Sequence, residues 1–184
     1  ADLRSLVEAV LEETTIPRIR IGSLEPWNLP TDFFKLWGQS DRLCPHFHLP
    51  LQSGSDAVLK RMARRCSIEE YKALVDAARA NIPAVNITTD LIVGFPGETD
   101  DEFLETTQNI LDIGFGDMHI FSYSRREGTP AARMRNQLPK AVKKARSRVV
   151  HNLARRMKKE SLDTHLIRPS QVLWETQGVS LDTG

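Results

Sequence analysis

Cysteine is nearly absent: Cys44 and Cys66 are the only two in 184 residues, so no disulfide framework can be built and a reducing, cytoplasmic setting is expected. Long apolar runs are missing as well. None approaches the roughly twenty residues of a membrane helix, and the N-terminus carries no signal-type apolar segment. A soluble chain without a membrane partner is therefore expected. No internal repeat or low-complexity stretch occurs, and an apolar fraction of 40 % over this length is enough for one globular domain.

Acidic charge is missing from one segment only. The net charge of +1 hides a run from Arg133 to Lys159 that holds eleven Lys or Arg and no Asp or Glu. A block of one sign is the footprint of a phosphate-backbone partner, or alternatively a solvated helix face.

Asp90 to Thr99, DLIVGFPGET, is the most informative stretch. Period-two geometry puts Asn86, Thr88, Asp90 and Ile92 on one face of a strand and Val85, Ile87, Leu91 and Val93 on the other, which suits a barrel strand enclosed on both sides. Gly94 and Gly97 remove side chains where the chain turns, so a ligand could approach the backbone closely. Thr99 and Glu102 then read as a capping box opening a helix.

Elsewhere the chain opens inside a helix carrying Leu3, Leu6, Val7, Val10 and Leu11, and Arg18 to Ser23 reads as a short strand. A second strand spans His46 to Gln52, with a helix from Ser55. Ser67 and Glu70 cap the next helix, whose apolar face is Tyr71, Leu74, Val75 and Ala78. The helix after Thr99 should end at Gly114, and Met118 to Tyr123 is the fourth strand. A long basic helix is expected over 140–165 with Val142, Ala145, Val149, Leu153 and Met157 as its apolar stripe. Strands alternating with helices predict parallel βαβ units with right-handed crossovers. Four strands make an open arc rather than a closed barrel.

Together, HFHLPLQSGSD (46–56), DLIVGFPGET (90–99) and HIFSYSRREGTPAARM (119–134) resemble the radical S-adenosylmethionine methylthiotransferases, in order and spacing, over about 18–160. The resemblance implies an α/β fold: an incomplete (β/α) TIM-type barrel holding the last four of six βα units of a radical SAM core, with the first two lying upstream and missing here. Residues 1–165 would be that core and its basic helix. Residues 166–184, with VLWE at 172–175, would be a linker and the first strand of a truncated TRAM β-barrel.

The same resemblance implies S-adenosylmethionine and [4Fe-4S] clusters as cofactors of a longer parent, with an external electron donor. Three cysteines in a CxxxCxxC loop would hold the radical-forming cluster. That motif does not occur in this chain, and Cys44 and Cys66 read as buried thiols, so the chain alone is expected to bind no cluster and to be inactive. No residue is singled out as a metal ligand, and none as catalytic.

Ligands of parallel barrels sit at the C-terminal strand ends. Arg20 should therefore meet either an internal carboxylate or the methionyl carboxylate, with Ser23 and Glu25 at the first strand exit. Gln52 and Ser53 are placed for a ribose or the amino-acid part of the cofactor. Asp90, Ile92, Gly94 and Phe95 are candidates around its adenosine. His48 reads better as a satisfied core histidine than as a base, and Phe121 as core. Lys143, Lys144, Arg148, Arg155 and Arg156 are the expected phosphate contacts to tRNA.

The parent would insert a methylthio group at an unactivated C–H carbon. RIRIGSLEP (18–26) resembles the group acting on threonylcarbamoyladenosine in tRNA. Isopentenyladenosine in tRNA, ribosomal protein S12, and a non-catalytic RNA-binding scaffold are the alternatives.

Overall fold

The computed structural model describes residues 2–165, so the expected linker and TRAM strand at 166–184 lie outside the described residues. Its elements run α1 (Leu3–Glu13), β1 (His46–His48), α2 (Asp56–Arg61), α3 (Ile68–Asn81), β2 (Asn86–Val93), α4 (Asp100–Ile113), β3 (Asp117–Ser122), α5 (Pro130–Arg133) and α6 (Lys140–His165). Among the described residues no helix is long and apolar enough to cross a membrane.

Local chemistry explains the helix ends. Asp2 caps α1 by accepting from the Ser5 amide at 2.8 Å. Complete capping boxes, Ser67 with Glu70 and Thr99 with Glu102, open α3 and α4, so two amides at each start have a partner. Gly114 ends α4 in the left-handed region at φ 68°, a conformation that costs glycine little.

The three strands are all parallel, in the order β1-β2-β3. Their outer face packs against α3, α4 and α6 through Phe47, Tyr71, Val75, Ile87, Leu91, Ile110, Phe115 and Val150, all fully buried or nearly so. A 3₁₀ segment, Thr31–Gly38, adds Phe33, Phe34, Leu36 and Trp37 to this core, a contribution not apparent from periodicity. The inner face of β2 is only half-buried at Asn86, Thr88, Asp90 and Ile92, so the expected enclosure on both sides is met on the outer side alone within the described residues.

The strand expected at Arg18 to Ser23 is not regular. Ile19 bridges Leu43 and Ser23 bridges His48, so four steps on one side span five on the other. Pro45 lies in that longer stretch and has no N–H to give a ladder. β1 is likewise cut short before Pro50. The chain nevertheless stays beside β2, because Leu49 donates to Thr88 and Gln52 donates to Asp90, each at 2.9 Å. Gln52 adopts φ 70° there, rare for a residue with a Cβ.

α6 has its expected limits but a different buried stripe. Arg146, Val150, Ala154 and Met157 are buried, whereas Val149 is 45 % exposed and Ala145 is exposed. The true stripe keeps the expected Met157 but is otherwise shifted by one residue, because it includes an arginine whose charge suggested a solvent position.

Where α2 and α4 approach, Gly54 leaves no room for a side chain: a Cβ would stand 2.8 Å from the Thr106 backbone Cα and O. Gly54→Ala is expected to lower stability by about 1–3 kcal/mol through overpacking. Gly38→Ala, which meets nothing within 4 Å, is the control. Urea unfolding of both variants checks this, and equal midpoints would contradict it.

Candidate functional site at the strand exits

The inner faces of the strands line a cleft of about 1140 Å³, open on one side. Arg20, Ser23, His48, Asp90, His119 and Phe121 all contribute to it. Parallel pairing sets three polar side chains from adjacent strands side by side: His48 on β1, Asp90 on β2, and His119 opposite Asp90 on β3. Asp90 Oδ1 lies 3.3 Å from His48 Nε2 and 3.2 Å from His119 Nδ1. Thr88 Oγ1 stands 3.0 Å from His48 Nδ1, which fixes the ring. Asp90 is thus a carboxylate with one oxygen engaged by two imidazoles, on a face open to the cleft.

At the exit of β2 the chain doubles back on itself. Glu98 turns inward, and its Oε2 accepts from the Gly94 amide at 2.9 Å and the Phe95 amide at 3.3 Å. Its Oε1 accepts from Arg146 of α6 at 2.6 Å. The other arm of Arg146 donates to Asp100 at 2.6 Å, and its guanidinium lies 5.1 Å over the Phe103 ring. Both charged side chains are more than nine-tenths buried. Burial pushes the Glu98 carboxyl above its ordinary range, while Arg146 and the two amides pull it back down.

The sequence-predicted residues divide into three sets. Arg20, Ser23 and Asp90 line the cleft, and Ile92 shares the inner face of β2, opposite Phe121. Phe121 is 52 % exposed, which corrects its reading as core. Arg20 is exposed and donates to His46 Nδ1 at 3.1 Å, so the internal-carboxylate alternative is not met among the described residues.

A second set lies beneath the cleft. Gln52 and Ser53 are buried, Ser53 beside Thr106, and Phe95 packs edge-on to Tyr123. Gly94 makes room for the Lys143 side chain, so its missing Cβ serves helix packing rather than close approach of a ligand. Glu25 turns away to pair with Arg64 at 3.2 Å.

The third set is on α6. Lys144 and Arg148 are exposed, but Lys143 donates to the Tyr123 carbonyl at 2.9 Å and packs over Gly94, so it is a structural cation. Arg155 donates to Asn152, and Arg156 lies 3.8 Å from Glu160. Sequence reasoning missed Glu98 and Arg146 altogether. The available signal was the helical spacing of Arg146 with Val150, Ala154 and Met157.

The residues present suit an adenosine-bearing cofactor better than a cluster. Asp90 has an oxygen, Oδ2, without a partner among the described residues, offering acceptor capacity for hydroxyls on the face it shares with the apolar Ile92 and Phe121. The thiols do not suit a cluster. Cys44 is buried, and the Cys66 thiol is pushed up to about 11, first by burial and then by Glu70 and Asp56.

Three parallel strands with helices packed on one face and a polar cleft on the other make an α/β unit. Residues 2–110 match the radical SAM superfamily, and the chain belongs to it. Among its sequence relatives, a tRNA-2-methylthio-N(6)-dimethylallyladenosine synthase of Acetivibrio thermocellus is 40 % identical over 97 % of this chain and 38 % of its own. The threonylcarbamoyladenosine tRNA methylthiotransferase MtaB of Bacillus subtilis is 42 % identical over 75 % of this chain and 30 % of its own. The chain therefore spans about a third of the length of these relatives. Among solved structures, coproporphyrinogen III oxidase (HemN) of Escherichia coli superposes with a TM-score of 0.66 at 17 % identity, over 83 % of this chain and 36 % of that one. That likeness bears on the fold alone.

His46, beside the cleft, provides a pH test. Burial first, then the charges of Arg20 and His48, depress its pKa from 6.5 to about 4. The folded state thus favours the neutral ring. Its stability is fully present above the unfolded value of 6.5 and is lost as pH falls from there towards 4. Urea midpoints measured across this interval should fall more steeply for the wild type than for His46→Gln. Parallel slopes would contradict the assignment.

Proposed function

We propose that this chain is part of a radical SAM tRNA methylthiotransferase. The observation that carries the reading is its 40 % identity, over 97 % of its length, to an enzyme named for that modification. When bound, S-adenosylmethionine supplies the radical chemistry and the methyl group. This chain's own residues bind, orient and exclude water. Asp90 accepts from the ribose hydroxyls, held in place by His48 and His119, while Ile92 and Phe121 flank the adenosine. The [4Fe-4S] clusters are carried by other parts of the parent protein, because Cys44 and Cys66 do not suit them, and the chain alone is inactive. An external donor supplies electrons.

Threonylcarbamoyladenosine of tRNA is the proposed substrate, supported by the likeness of Arg18 to Pro26 to that group and by the 42 % identity to MtaB. The dimethylallyl (isopentenyl) substrate is the second reading, favoured by the relative that covers most of the chain.

Nucleoside mass spectrometry of tRNA from cells lacking the parent gene, and from cells complemented with it, tests both readings. The methylthio form of threonylcarbamoyladenosine should disappear and return. In the parent, Asp90→Ala should lower it at least about tenfold, the order expected from losing a hydrogen bond to a charged group, with thermal melting little changed. Loss of the methylthio form of isopentenyladenosine instead would move the enzyme to the second reading. Full activity of Asp90→Ala would remove Asp90 from the cofactor cradle.

A further inference from the structure

Cations are not spread evenly over the basic third of the chain once their partners are considered. α6 runs antiparallel to the strands. Its first turns stand at the strand exits, where Lys143 reaches Tyr123 and Arg146 reaches Glu98. Its last turns stand at the strand entrances, where Lys158 pairs with Asp117, the first residue of β3, at 2.6 Å. At about 1.5 Å rise per residue, Lys159 lies about 22 Å along the helix from Lys144.

Several charges at the far end are already engaged: Lys158 with Asp117, Arg156 with Glu160, and Arg155 with Asn152. At the exit end, Lys143 and Arg146 apart, the cations are differently placed. The loop after β3 and the start of α6 present Arg125, Arg126, Arg133, Arg135, Lys140 and Lys144, all exposed. None of the six makes a side-chain hydrogen bond or ion pair among the described residues, and Glu127 is the one acid between Tyr123 and Lys144. The loop is also fixed against the site, since the Gly97 amide donates to the Asn136 carbonyl at 2.7 Å and Thr129 caps α5.

We infer that the β3–α6 loop, with Arg125, Arg126, Arg133 and Arg135, is the surface that grips the phosphodiester backbone of the RNA substrate at the cleft mouth, and that the far half of α6 is not. The inference rests on the tRNA reading above and adds where the RNA lies. Unpaired, exposed guanidinium groups lose little on meeting phosphate and offer it a bidentate fork. Cations already paired must first give up a partner. Position matters equally, because backbone contacts at the strand exits set the register of a base presented at the C-terminal ends of the strands, whereas the far half of α6 stands at their opposite ends. Arg155 and Arg156 are accordingly replaced as phosphate contacts by the four loop arginines, while Lys144 is retained.

The test compares two charge-neutralised versions of the full chain, binding to tRNA measured by fluorescence anisotropy against salt. One carries Arg125→Gln, Arg126→Gln, Arg133→Gln and Arg135→Gln. The other carries Arg155→Gln, Arg156→Gln and Lys159→Gln. The loop version should bind at least about thirtyfold more weakly, and its slope of log K against log salt should be shallower by about 3, as expected for four lost phosphate contacts. The helix version should stay within about threefold of wild type. All seven side chains are exposed, and melting curves confirm that both versions fold. Equal or greater weakening in the helix version would overturn the placement while leaving the tRNA reading intact. Wild-type chain that binds no tRNA, or that prefers polyglutamate to tRNA, would overturn the reading and the placement together.

Discussion

Arg146 and Glu98 form a buried ion pair on which the geometry of the strand exits depends. Glu98 is the one side chain that both satisfies the Gly94 and Phe95 amides and faces the helix that closes the sheet's outer side. A carboxylate this deeply buried is tolerable only with a cation against it, and removing one partner of such a pair costs about 3–5 kcal/mol. Arg146 also spans to Asp100, so a single guanidinium ties α6 to both the β2 turn and the first turn of α4. The turn is therefore shaped from outside the cleft. Its amides are committed to the protein, and the cleft is left to side chains from the strands themselves.

Those side chains follow from parallel pairing. His119 is the register partner of Asp90, and His48, opposite Thr88, reaches the same carboxylate from two residues along the same face, so the three meet without any loop having to fold over them. The outer face carries the apolar core, so the polar inner row costs the fold little. It is half-exposed and largely hydrogen-bonded, and it presents its remaining acceptor capacity to the cleft. The fold that carries this sheet is what the chain shares with coproporphyrinogen III oxidase at 17 % identity.

Much of this architecture was legible in the residues. The capping boxes at Ser67 and Thr99, the glycine end at Gly114, and β2 itself follow from local chemistry, which does not depend on distant partners. What was not legible is mostly non-local. The irregular edge at Arg18 to Ser23 depends on how Pro45 interrupts its neighbour, and periodicity in one segment cannot register a proline in another. Gly94 suggested an opening for a ligand, yet the space belongs to Lys143 from a helix nearly fifty residues on. Arg146 was hidden because a charged residue in a basic run reads as solvent-facing until its buried carboxylate is seen. Sequence likewise shows the charges along α6 but not which of them are paired, as Lys158 is with Asp117.

The most direct test of this account is amide hydrogen exchange in the full chain carrying Arg146→Lys, which keeps the charge but loses the fork that reaches Glu98 and Asp100 together. Protection of the Gly94 and Phe95 amides should fall at least about tenfold, while Ile87 and Leu91 within β2 keep theirs. Unchanged exchange at Gly94 and Phe95 would contradict the claim that α6 holds the strand-exit turn in shape.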